Sequence, residues 1–334
     1  MSKKNPQPSG RNLLYLILGT LLAFTTCKKD DPELVKLYTV NNAGLPSNDV
    51  TALVYIDTNK LFIGTSQGCV YYNGVEWKKY NTSTGTLNND KVTCMAISEN
   101  EIKVGTAGGG LNRLKYLTTI DAISSATHYN TVQSKIVSDT VVSLLIDEEG
   151  NEWIGTDKGL SFHMGGEWAT EGWSNYTAEN GIKLNKITAI EEDQSGNIWV
   201  GMQDKVMMLK DSVFSEPSLV KPFKPGEIHD MITDRYKRLW IAGNDSLYYL
   251  DMYQALNTYS LTSFKLMPRK LFIDFNQQLW IGTTEGLKFY IDNEEIITQN
   301  YQGLAGTTVK DILLVKDKAL WVATSEGLYK VIDF

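Results

Sequence analysis

The sequence predicts an all-β fold, a seven-bladed β-propeller, from one repeated segment, its spacing and the two ends of the chain. A short apolar segment that begins with a large side chain and continues into Gly or Ala returns seven times. Its copies begin at Phe62, Lys103, Trp153, Trp199, Trp240, Trp280 and Trp321. Successive copies are separated by 41, 50, 46, 41, 40 and 41 residues. A period of about 40 to 50 residues with strand-like segments is typical of one four-stranded blade per repeat.

Each repeat has a consistent internal order. In the third, residues 141–146 form an apolar strand, residues 147–151 form a turn, and Trp153 opens the next strand. An aliphatic residue stands 12 positions before the aromatic one in most repeats; the second repeat is one residue shorter, and Pro268 takes this anchor position in the sixth. A third and a fourth strand follow. We expect both faces of each sheet to be apolar because a neighbouring blade covers each side.

The two ends of the chain predict how the ring closes. The last repeat stops after its third strand, and residues 34–40 form a strand-like stretch before the first repeat. We expect this stretch to supply the fourth strand of blade 7, which removes an open sheet edge. The propeller is therefore predicted to span residues 34–334.

Four repeats carry an aspartate six residues before the tryptophan, namely Asp147, Asp193, Asp234 and Asp274. A calcium loop is one interpretation, but the spacing lacks the acids at alternate positions that such a loop needs. Asp and Gly are common in tight turns. We therefore interpret these aspartates as turn formers between the first two strands, and we expect neither a metal site nor a cofactor.

The first 33 residues predict a targeting segment and a tether. Basic residues precede an apolar run at residues 13–24, which is too short for a permanent membrane helix and fits a secretory signal peptide at residues 1–26. The segment ending at Cys27 resembles a bacterial lipoprotein processing site, which implies a lipidated Cys27; ordinary cleavage with a free Cys27 is the alternative. Residues 28–31 resemble a surface-export signal or form a solvated linker within the tether, residues 27–33. The expected location is the outer membrane, on its surface or periplasmic side.

Composition excludes some classes of partner. The chain has a net charge of −7, which argues against nucleic acid and against adsorption to an anionic membrane surface. Any attachment to a membrane is expected through the lipid anchor alone. Cys69 and Cys94 lie in apolar strand patterns, where a small buried residue is the default interpretation. A disulfide is the alternative that an oxidising compartment permits.

Two insertions lengthen blades 2 and 3, at residues 115–135 and 165–181. We interpret two aromatic residues of blade 3 as outer-strand counterparts of blade 1, namely Trp168 of Trp77 and Tyr176 of Tyr80. Trp173 has no role in this assignment. Loops on a rigid scaffold often carry function.

Several repeats resemble a known family. Residues 44–50, residues 61–65 and residues 187–201 are similar to the two-component-regulator propeller repeat, whereas blades 5 and 6 lack its Gly-Leu entry. The resemblance implies an extracytoplasmic sensor-type β-propeller that often recognises glycan fragments for an attached histidine kinase. With the expected lipid anchor and no kinase segment, it implies a stand-alone lipoprotein that needs a partner to signal.

The candidate site is a polar ring at the mouth of the channel, where the connections between blades and those between the second and third strands meet. Its predicted members are Asn48, Gln67, Asp90, Asp139, Lys158, Asn185, Asp204, His229, Asp245, Arg269, Glu285, Lys310 and Glu326. Acids and amides in such a ring suit a hydroxyl-rich ligand or a cation; solubility of the loops explains them equally well.

Catalysis has little support in the sequence, and we assign no catalytic residue. The three histidines fall in different repeats without a patterned Ser or Cys partner. We expect a monomeric, non-catalytic propeller that binds a glycan or peptide ligand or docks an envelope protein. The alternatives are a lyase or glycosidase that acts on polysaccharide through paired carboxylates, and a purely structural subunit of an envelope complex.

Overall fold

The computed structural model describes residues 35–57, 59–164, 172–178, 182, 185–210, 212–219, 223–252, 258–291, 295–299, 301, 303–315 and 319–332. In this part of the chain the strands form seven separate sheets, one for each predicted repeat, and one 3-10 helix covers Thr82–Thr84. The prediction of an all-β, seven-bladed propeller is confirmed. The predicted signal peptide, Cys27 and the tether lie outside the described residues. No helix within them has the length and apolar character needed to cross a bilayer.

The strands of each blade are named A to D from the axis outward. Blades 1 to 3 contain β2 (Val50–Asp57), β3 (Lys60–Thr65), β4 (Gly68–Tyr72) and β5 (Trp77–Tyr80); β6 (Val92–Ser98), β7 (Glu101–Thr106), β8 (Leu111–Leu117) and β9 (Ala122–Tyr129); and β10 (Val141–Ile146), β11 (Glu152–Thr156), β12 (Gly159–His163) and β13 (Trp173–Tyr176).

Blades 4 to 7 contain β14 (Ala189–Glu192), β15 (Ile198–Gly201), β16 (Val206–Lys210) and β17 (Val213–Ser215); β19 (Asp230–Thr233), β20 (Arg238–Ala242), β21 (Ser246–Asp251) and β22 (Thr258–Lys265); β23 (Pro268–Ile273), β24 (Leu279–Thr283), β25 (Gly286–Ile291) and β26 (Glu295–Gln299); and β27 (Val309–Leu314), β28 (Ala319–Thr324), β29 (Leu328–Ile332) and β1 (Val35–Tyr38). A short strand, β18 (Ser218–Leu219), pairs in parallel with the outer edge of blade 5.

The A strands make the blades into a ring. Each A strand contacts the A strand of the next blade, and β27 of blade 7 contacts β2 of blade 1, which completes the circle. The seven sheets therefore surround one axis, and the start of every A strand lies beside it.

The ring closes as the sequence predicts. Strand β1 pairs antiparallel with β29, so that Tyr38 lies opposite Leu328. The ring of Tyr38 stacks on Trp321 of the same blade at 5.6 Å and packs against Trp77 of blade 1 at 5.4 Å. The closing strand thus completes blade 7 and also contributes to its contact with blade 1.

The four aspartates of the A–B turns anchor the tryptophans of the B strands. The Oδ2 atoms of Asp147, Asp193, Asp234 and Asp274 accept hydrogen bonds from the indole Nε1 six residues later, at 2.9, 2.8, 2.8 and 3.0 Å. Their Oδ1 atoms accept backbone N–H groups two and four residues later. The turn-forming role is confirmed, and the described residues hold no cluster of three potential metal ligands.

Blade 2 replaces the B-strand aromatic residue by a lysine that forms a buried ion pair. The Nζ of Lys103 lies 3.1 Å from Oε1 of Glu152 in blade 3. The two residues are only 4% and 6% exposed. An ion pair thus takes the place of the usual aromatic contact between these two blades.

One assignment in blade 3 was wrong. Trp173 pairs with His163 and Tyr176 pairs with Leu160, as Trp77 and Tyr80 do with the corresponding C-strand residues of blade 1. Trp173, not Trp168, is therefore the counterpart of Trp77, and Trp168 lies outside the described residues. The reason is spacing along the strand: both pairs are Trp-x-x-Tyr, whereas Trp168 is eight residues from Tyr176.

The two cysteines of the propeller are free thiols in different blades. Cys69 is fully buried, which confirms the expectation of a small apolar side chain in the core. Cys94 is half-buried and lines the axial channel. Burial raises the pKa of the Cys94 thiol to about 12, so the group stays protonated at neutral pH.

Candidate functional site

The D-to-A connections between blades and the B-to-C turns within blades meet on one side of the ring, which we call the loop face. Backbone hydrogen bonds join the two kinds of loop, for example from Gly68 N to Asp90 O at 2.6 Å and from Gly108 N to Asp139 O at 3.0 Å. These bonds hold the loop face together around the mouth of the channel.

A cavity of about 180 Å³ lies on the axis at the loop face. All seven blades line it with the first residues of their A strands. The residue after each anchor forms what we call the mouth ring, which consists of Thr51, Thr93, Val142, Thr188, His229, Arg269 and Lys310. This volume is below the roughly 300–1,000 Å³ of pockets that enclose a drug-sized molecule, so the cavity suits one terminal group of a ligand.

β-Bulges position most residues of the mouth ring at the start of their A strands. In blades 1, 2, 3, 6 and 7 the pairing of strands A and B shifts across the residue after the anchor, as between Val50 and Ala52 or between Val309 and Asp311. A bulge leaves one residue without a partner in the ladder and re-aims its side chain. In blades 4 and 5 the A strand begins one residue after Thr188 and His229.

The mouth ring has two chemically different sides. Blades 1 to 4 contribute three threonines and a valine, whereas blades 5 to 7 contribute His229, Arg269 and Lys310. Lys310 forms an ion pair with Asp49. Arg269 donates from Nη1 to the carbonyl oxygens of Pro268 at 2.8 Å and Asn244 at 3.3 Å. Within the described chain, no carboxylate lies within ion-pair distance of Arg269, and burial lowers its pKa.

His229 adds a neutral imidazole to the cationic side. Burial lowers the pKa of His229, and the positive charge of Arg269 lowers it further. Its Nε2 atom is buried and has no hydrogen-bond partner among the described residues. Such an atom can bond to a ligand in the cavity, which would offset the cost of burying it.

A second layer of charge beneath the mouth ring joins the blades. Lys270 Nζ lies 3.0 Å from Oδ2 of Asp230 and 3.8 Å from Oδ1 of Asp311. Burial acts to lower the pKa of Lys270, but the two carboxylates outweigh it and leave the pKa raised. Asp230 also accepts from Leu271 N at 2.8 Å, and Asp311 accepts from Leu53 N at 2.7 Å. These bonds link blade 5 to blade 6 and blade 7 to blade 1.

The predicted residues of the B-to-C turns form an exposed outer rim. Its members are Gln67, Lys158, Asp204, Asp245, Glu285 and Glu326, and none of them lines the axial cavity. In four blades the turn is a Thr-x-x-Gly unit in which the threonine hydroxyl donates to the glycine carbonyl at 2.8 Å. The same hydroxyl accepts the amide of the rim residue. Asp245 pairs with Lys265 at 2.8 Å.

Three predicted residues of the D-to-A loops form hydrogen bonds within their own loops. Asn48, Asp90 and Asp139 each accept the backbone N–H of the residue eight positions earlier, at 2.8, 2.7 and 2.6 Å. Asn185 is half-buried in the corresponding loop of blade 4. Of the predicted ring, the structure therefore brings only His229, Arg269 and Lys310 together in the cavity.

Sequence reasoning missed the other side of the mouth ring and the charged layer beneath it. The prediction selected residues one position after the anchor in blades 5 to 7, namely His229, Arg269 and Lys310. The same position in blades 1, 2 and 4 holds Thr51, Thr93 and Thr188. The charges of the second layer recur two residues after the anchors of blades 5, 6 and 7. Examining the first and second residues after the anchor in all seven repeats would have identified these threonines and the second layer of charge.

A match to a family model supports the predicted resemblance, and a solved structure shares the fold. Residues 181–204, in blade 4 and the loop before it, match the family model of the two component regulator propeller. The fold is similar to the extracellular domain of a B. thetaiotaomicron protein described as a hybrid two component system, with a TM-score of 0.73 and 15% identity. The similarity covers 89% of this chain and 41% of that one. The chain thus spans less than half of that domain.

Other solved propellers have the same fold at similarly low identity. Virginiamycin B lyase from Staphylococcus aureus, in a catalytically inactive form with quinupristin, has a TM-score of 0.68 and 14% identity over 90% of this chain and 99% of that one. PorZ, a surface component of the type-IX secretion system of Porphyromonas gingivalis, has a TM-score of 0.67 and 14% identity over 86% and 47%. No curated protein matches the chain significantly.

Proposed function

Because the chain is a seven-bladed propeller that carries a two component regulator propeller repeat, we propose that it is an extracytoplasmic ligand-binding protein. The ligand, a glycan or a peptide, enters the channel mouth on the loop face. The observation that carries this proposal is the axial cavity. Among the described residues, Arg269 there has no carboxylate within ion-pair distance, and the buried Nε2 of His229 has no hydrogen-bond partner. Polar groups that converge in a concave site are typical of ligand binding.

The second layer of charge favours binding over catalysis. A general acid or base must exchange a proton with the bound molecule. Asp230 and Asp311 instead accept backbone amides and share Lys270, so their oxygens serve the contacts between blades. The residues of the mouth ring, which lie above them, remain available to bind a ligand.

A matched pair of substitutions tests the location of the site. Val142→Trp fills the mouth from blade 3, whereas Val213→Trp places the same side chain on the exposed outer strand of blade 4. Calorimetric titration of a panel of envelope glycans and peptides against both variants is expected to show binding lost only in Val142→Trp. Equal binding by both variants, with unchanged melting temperatures, would exclude the channel mouth.

The outer rim is proposed to contact parts of the ligand that extend beyond the cavity. Asp204 and Glu285 are both exposed, so the double substitution Asp204→Ala with Glu285→Ala is expected to weaken ligand binding without a change in melting temperature. Unaltered binding would confine the ligand to the cavity itself.

Attachment to the outer membrane through Cys27 is part of the proposal. The apolar run before Cys27 and the charged tether after it support this attachment. In cells, Cys27→Ser is expected to move the protein from the membrane fraction to the soluble fraction and to abolish labelling by a fatty-acid analogue. Labelling that survives the substitution would contradict the assignment. Docking to another envelope protein is tested by crosslinking the anchored form.

An enzyme that acts on polysaccharide is the second candidate, and one observation favours it. His229 is a neutral imidazole at the cavity, and a neutral imidazole can act as a general base. Product formation from a polysaccharide panel, lost in His229→Ala but not in His128→Ala, would support catalysis, because His128 is half-buried on the outer strand of blade 2 and does not line the cavity. Binding without turnover of any member would leave the binding function alone.

A further inference from the structure

We infer that the cationic side of the mouth ring binds an anionic group of a sugar ligand, a carboxylate or a sulfate or phosphate ester. This inference rests on the proposed function and names the class of ligand that the same site would take. The sugar hydroxyls would face the threonines of blades 1, 2 and 4, across the channel from Arg269.

Arg269 is the centre of the inferred site. Its two hydrogen bonds to carbonyl oxygens both use Nη1, which leaves the N–H groups of Nε and Nη2 without a partner among the described residues. A guanidinium presents its donors in a fork that fits carboxylate, sulfate and phosphate oxygens. An anionic group at this place would supply the counter-charge that the described residues do not.

The charges around Arg269 leave it uncompensated. Lys270 shares Asp230 and Asp311, and Lys310 pairs with Asp49. Glu227, the nearby acid on the loop before blade 5, pairs with Lys186 at 2.7 Å. The four carboxylates Asp49, Asp230, Asp311 and Glu227 are thus each engaged with a lysine, whereas Arg269 has no carboxylate within ion-pair distance among the described residues.

His229 lies beside Arg269 at the mouth of the channel and complements it. Its buried Nε2 can accept a ligand O–H as the neutral imidazole, or donate to an anion once the ring is protonated. The charged groups that act on this ring are Arg269, Glu227 and Lys186, and Asn244 bonds to it. A bound anion would favour protonation of His229, so binding should strengthen as the pH falls.

The opposite side of the mouth ring offers acceptors for sugar hydroxyls. Thr93 donates its hydroxyl proton to Val141 O at 2.7 Å, and Thr188 donates to Gly201 O at 3.1 Å. Each oxygen keeps acceptor capacity, so it can accept a hydrogen bond from a ligand hydroxyl. Thr51 Oγ1 is buried without a partner in the described part of the chain. An anion that carries hydroxyl groups can hydrogen-bond to both sides of the mouth ring, whereas an acidic peptide contacts mainly the cationic side.

The overall charge makes such a site selective. With a net charge of −7 the chain repels anions in general, so an anion that binds does so at a local positive potential. Binding should then weaken as added salt screens the attraction.

Four probes of related structure test the inference. Glucuronate, glucose 6-sulfate, glucose 6-phosphate and glucose are titrated against the full chain at low ionic strength, with an acidic tripeptide as a fifth arm. We expect at least one charged sugar to bind roughly tenfold or more tightly than glucose, the effect of one hydrogen bond to a charged group. The charged sugar that binds best identifies the anionic group.

Substitutions of arginine assign the effect to one residue. Arg269→Gln is expected to abolish the preference for charged sugars, and Arg269→Lys to retain part of it. Arg235→Gln is the control, since Arg235 is exposed on an A–B turn, on the side away from the loop face. Melting temperatures show that each variant is folded, and the salt dependence of binding by the unaltered protein provides a measurement that needs no variant.

The outcomes separate this inference from the proposed function. Equal affinity for glucose and for every charged sugar, with binding still lost in Val142→Trp, would overturn the inference and leave the binding site in place. Tighter binding of the acidic tripeptide than of any sugar would overturn the choice of a sugar. Binding that Val142→Trp does not change would overturn the proposed function as well.

Discussion

Val35 lies directly opposite Val331 in an antiparallel strand pair, so the first and last described strands belong to one blade. This pair covers the edge of β29, which would otherwise expose unpaired backbone groups. Tyr38, at the end of the same strand, fills the space beside Trp321 and Trp77. Closure of the ring therefore combines backbone pairing with side-chain packing.

The first prediction concerns this closure. Deletion of residues 35–40 is expected to cost about 3 kcal/mol or more, because it removes the buried Tyr38 and opens the ring. Urea unfolding followed by tryptophan fluorescence should then show a lower midpoint and a shallower transition. A chain that begins at residue 27 is the control and should keep the full strand. An unchanged transition in the deletion variant would show that closure does not depend on this strand.

The second prediction concerns the aspartate–tryptophan anchor. Asp193 is buried and accepts from Trp199 Nε1, from Asn197 Nδ2 and from two backbone amides. Asp193→Ala is expected to lower the free energy of unfolding by about 3 kcal/mol, because several donors lose a charged acceptor. Chemical denaturation measures the loss. Asp204→Ala, at an exposed turn, should change stability by less than about 0.5 kcal/mol; equal losses in the two variants would refute the anchor.

The third prediction concerns the ion pair between blades 2 and 3. Lys103→Met is expected to cost about 3 kcal/mol at neutral pH, because it leaves the carboxylate of Glu152 buried without its partner. Replacing both residues by methionine should recover much of that loss. Urea denaturation of both variants measures the effect, with exposed Lys158→Met as the control. A double variant as unstable as the single one would contradict this account.

The loss in Lys103→Met should depend on pH. Burial raises the pKa of Glu152 even with Lys103 present, so the folded protein holds this proton more firmly than the unfolded chain. At pH 5 the carboxyl group of the variant can be protonated at little cost, whereas at pH 8 it must be buried as an anion. The destabilisation should therefore be smaller at pH 5 than at pH 8.

The fourth prediction concerns Glu191, which lies on β14. Burial, reinforced by Asp230, raises the pKa of Glu191 to about 8, while Thr233 N donates to it at 2.7 Å. A raised carboxyl pKa stabilises the fold below the unfolded value of about 4.3. That contribution is lost as the pH rises from there to about 8. The slope is at most roughly 1.4 kcal/mol per pH unit.

Glu191→Gln removes this titration and should flatten the dependence of stability on pH. The free energy of unfolding, measured between pH 5 and pH 9, is expected to favour the variant increasingly at the alkaline end. Glu326→Gln, at an exposed turn, is the control and should follow the unaltered protein. Parallel curves for the Glu191 variant and the unaltered protein would show that Glu191 does not retain its proton on folding.

The repeated parts of the molecule were predictable because each is encoded by neighbouring residues. The aspartates six residues before the tryptophans lie in the same hairpin as their partners, so spacing alone indicated the turn. The indole hydrogen bond was not foreseen, although the constant offset of six residues was visible. Trp168 was misassigned because an insertion offers two tryptophans, and only the spacing of Trp173 to Tyr176 distinguishes them.

The candidate site was less predictable because its members come from all seven blades. Asn48, Asp90 and Asp139 are polar residues at equivalent positions, and their side chains bond within their own loops. Sequence could not separate such residues from Arg269, whose side chain reaches the cavity. That difference depends on β-bulges and on which carboxylates are already paired.

By itself, the sequence determined the number of blades, the order of strands within them and the strand that closes the ring, because a repeated apolar pattern can be buried only when equivalent sheets cover one another. Only the tertiary structure decided which polar residues meet at the axis. The physical reason is that seven strand ends converge at the axis, where local bulges direct side chains inward. Ion pairs between blades engage the nearby carboxylates, and Arg269 has no counter-charge among the described residues.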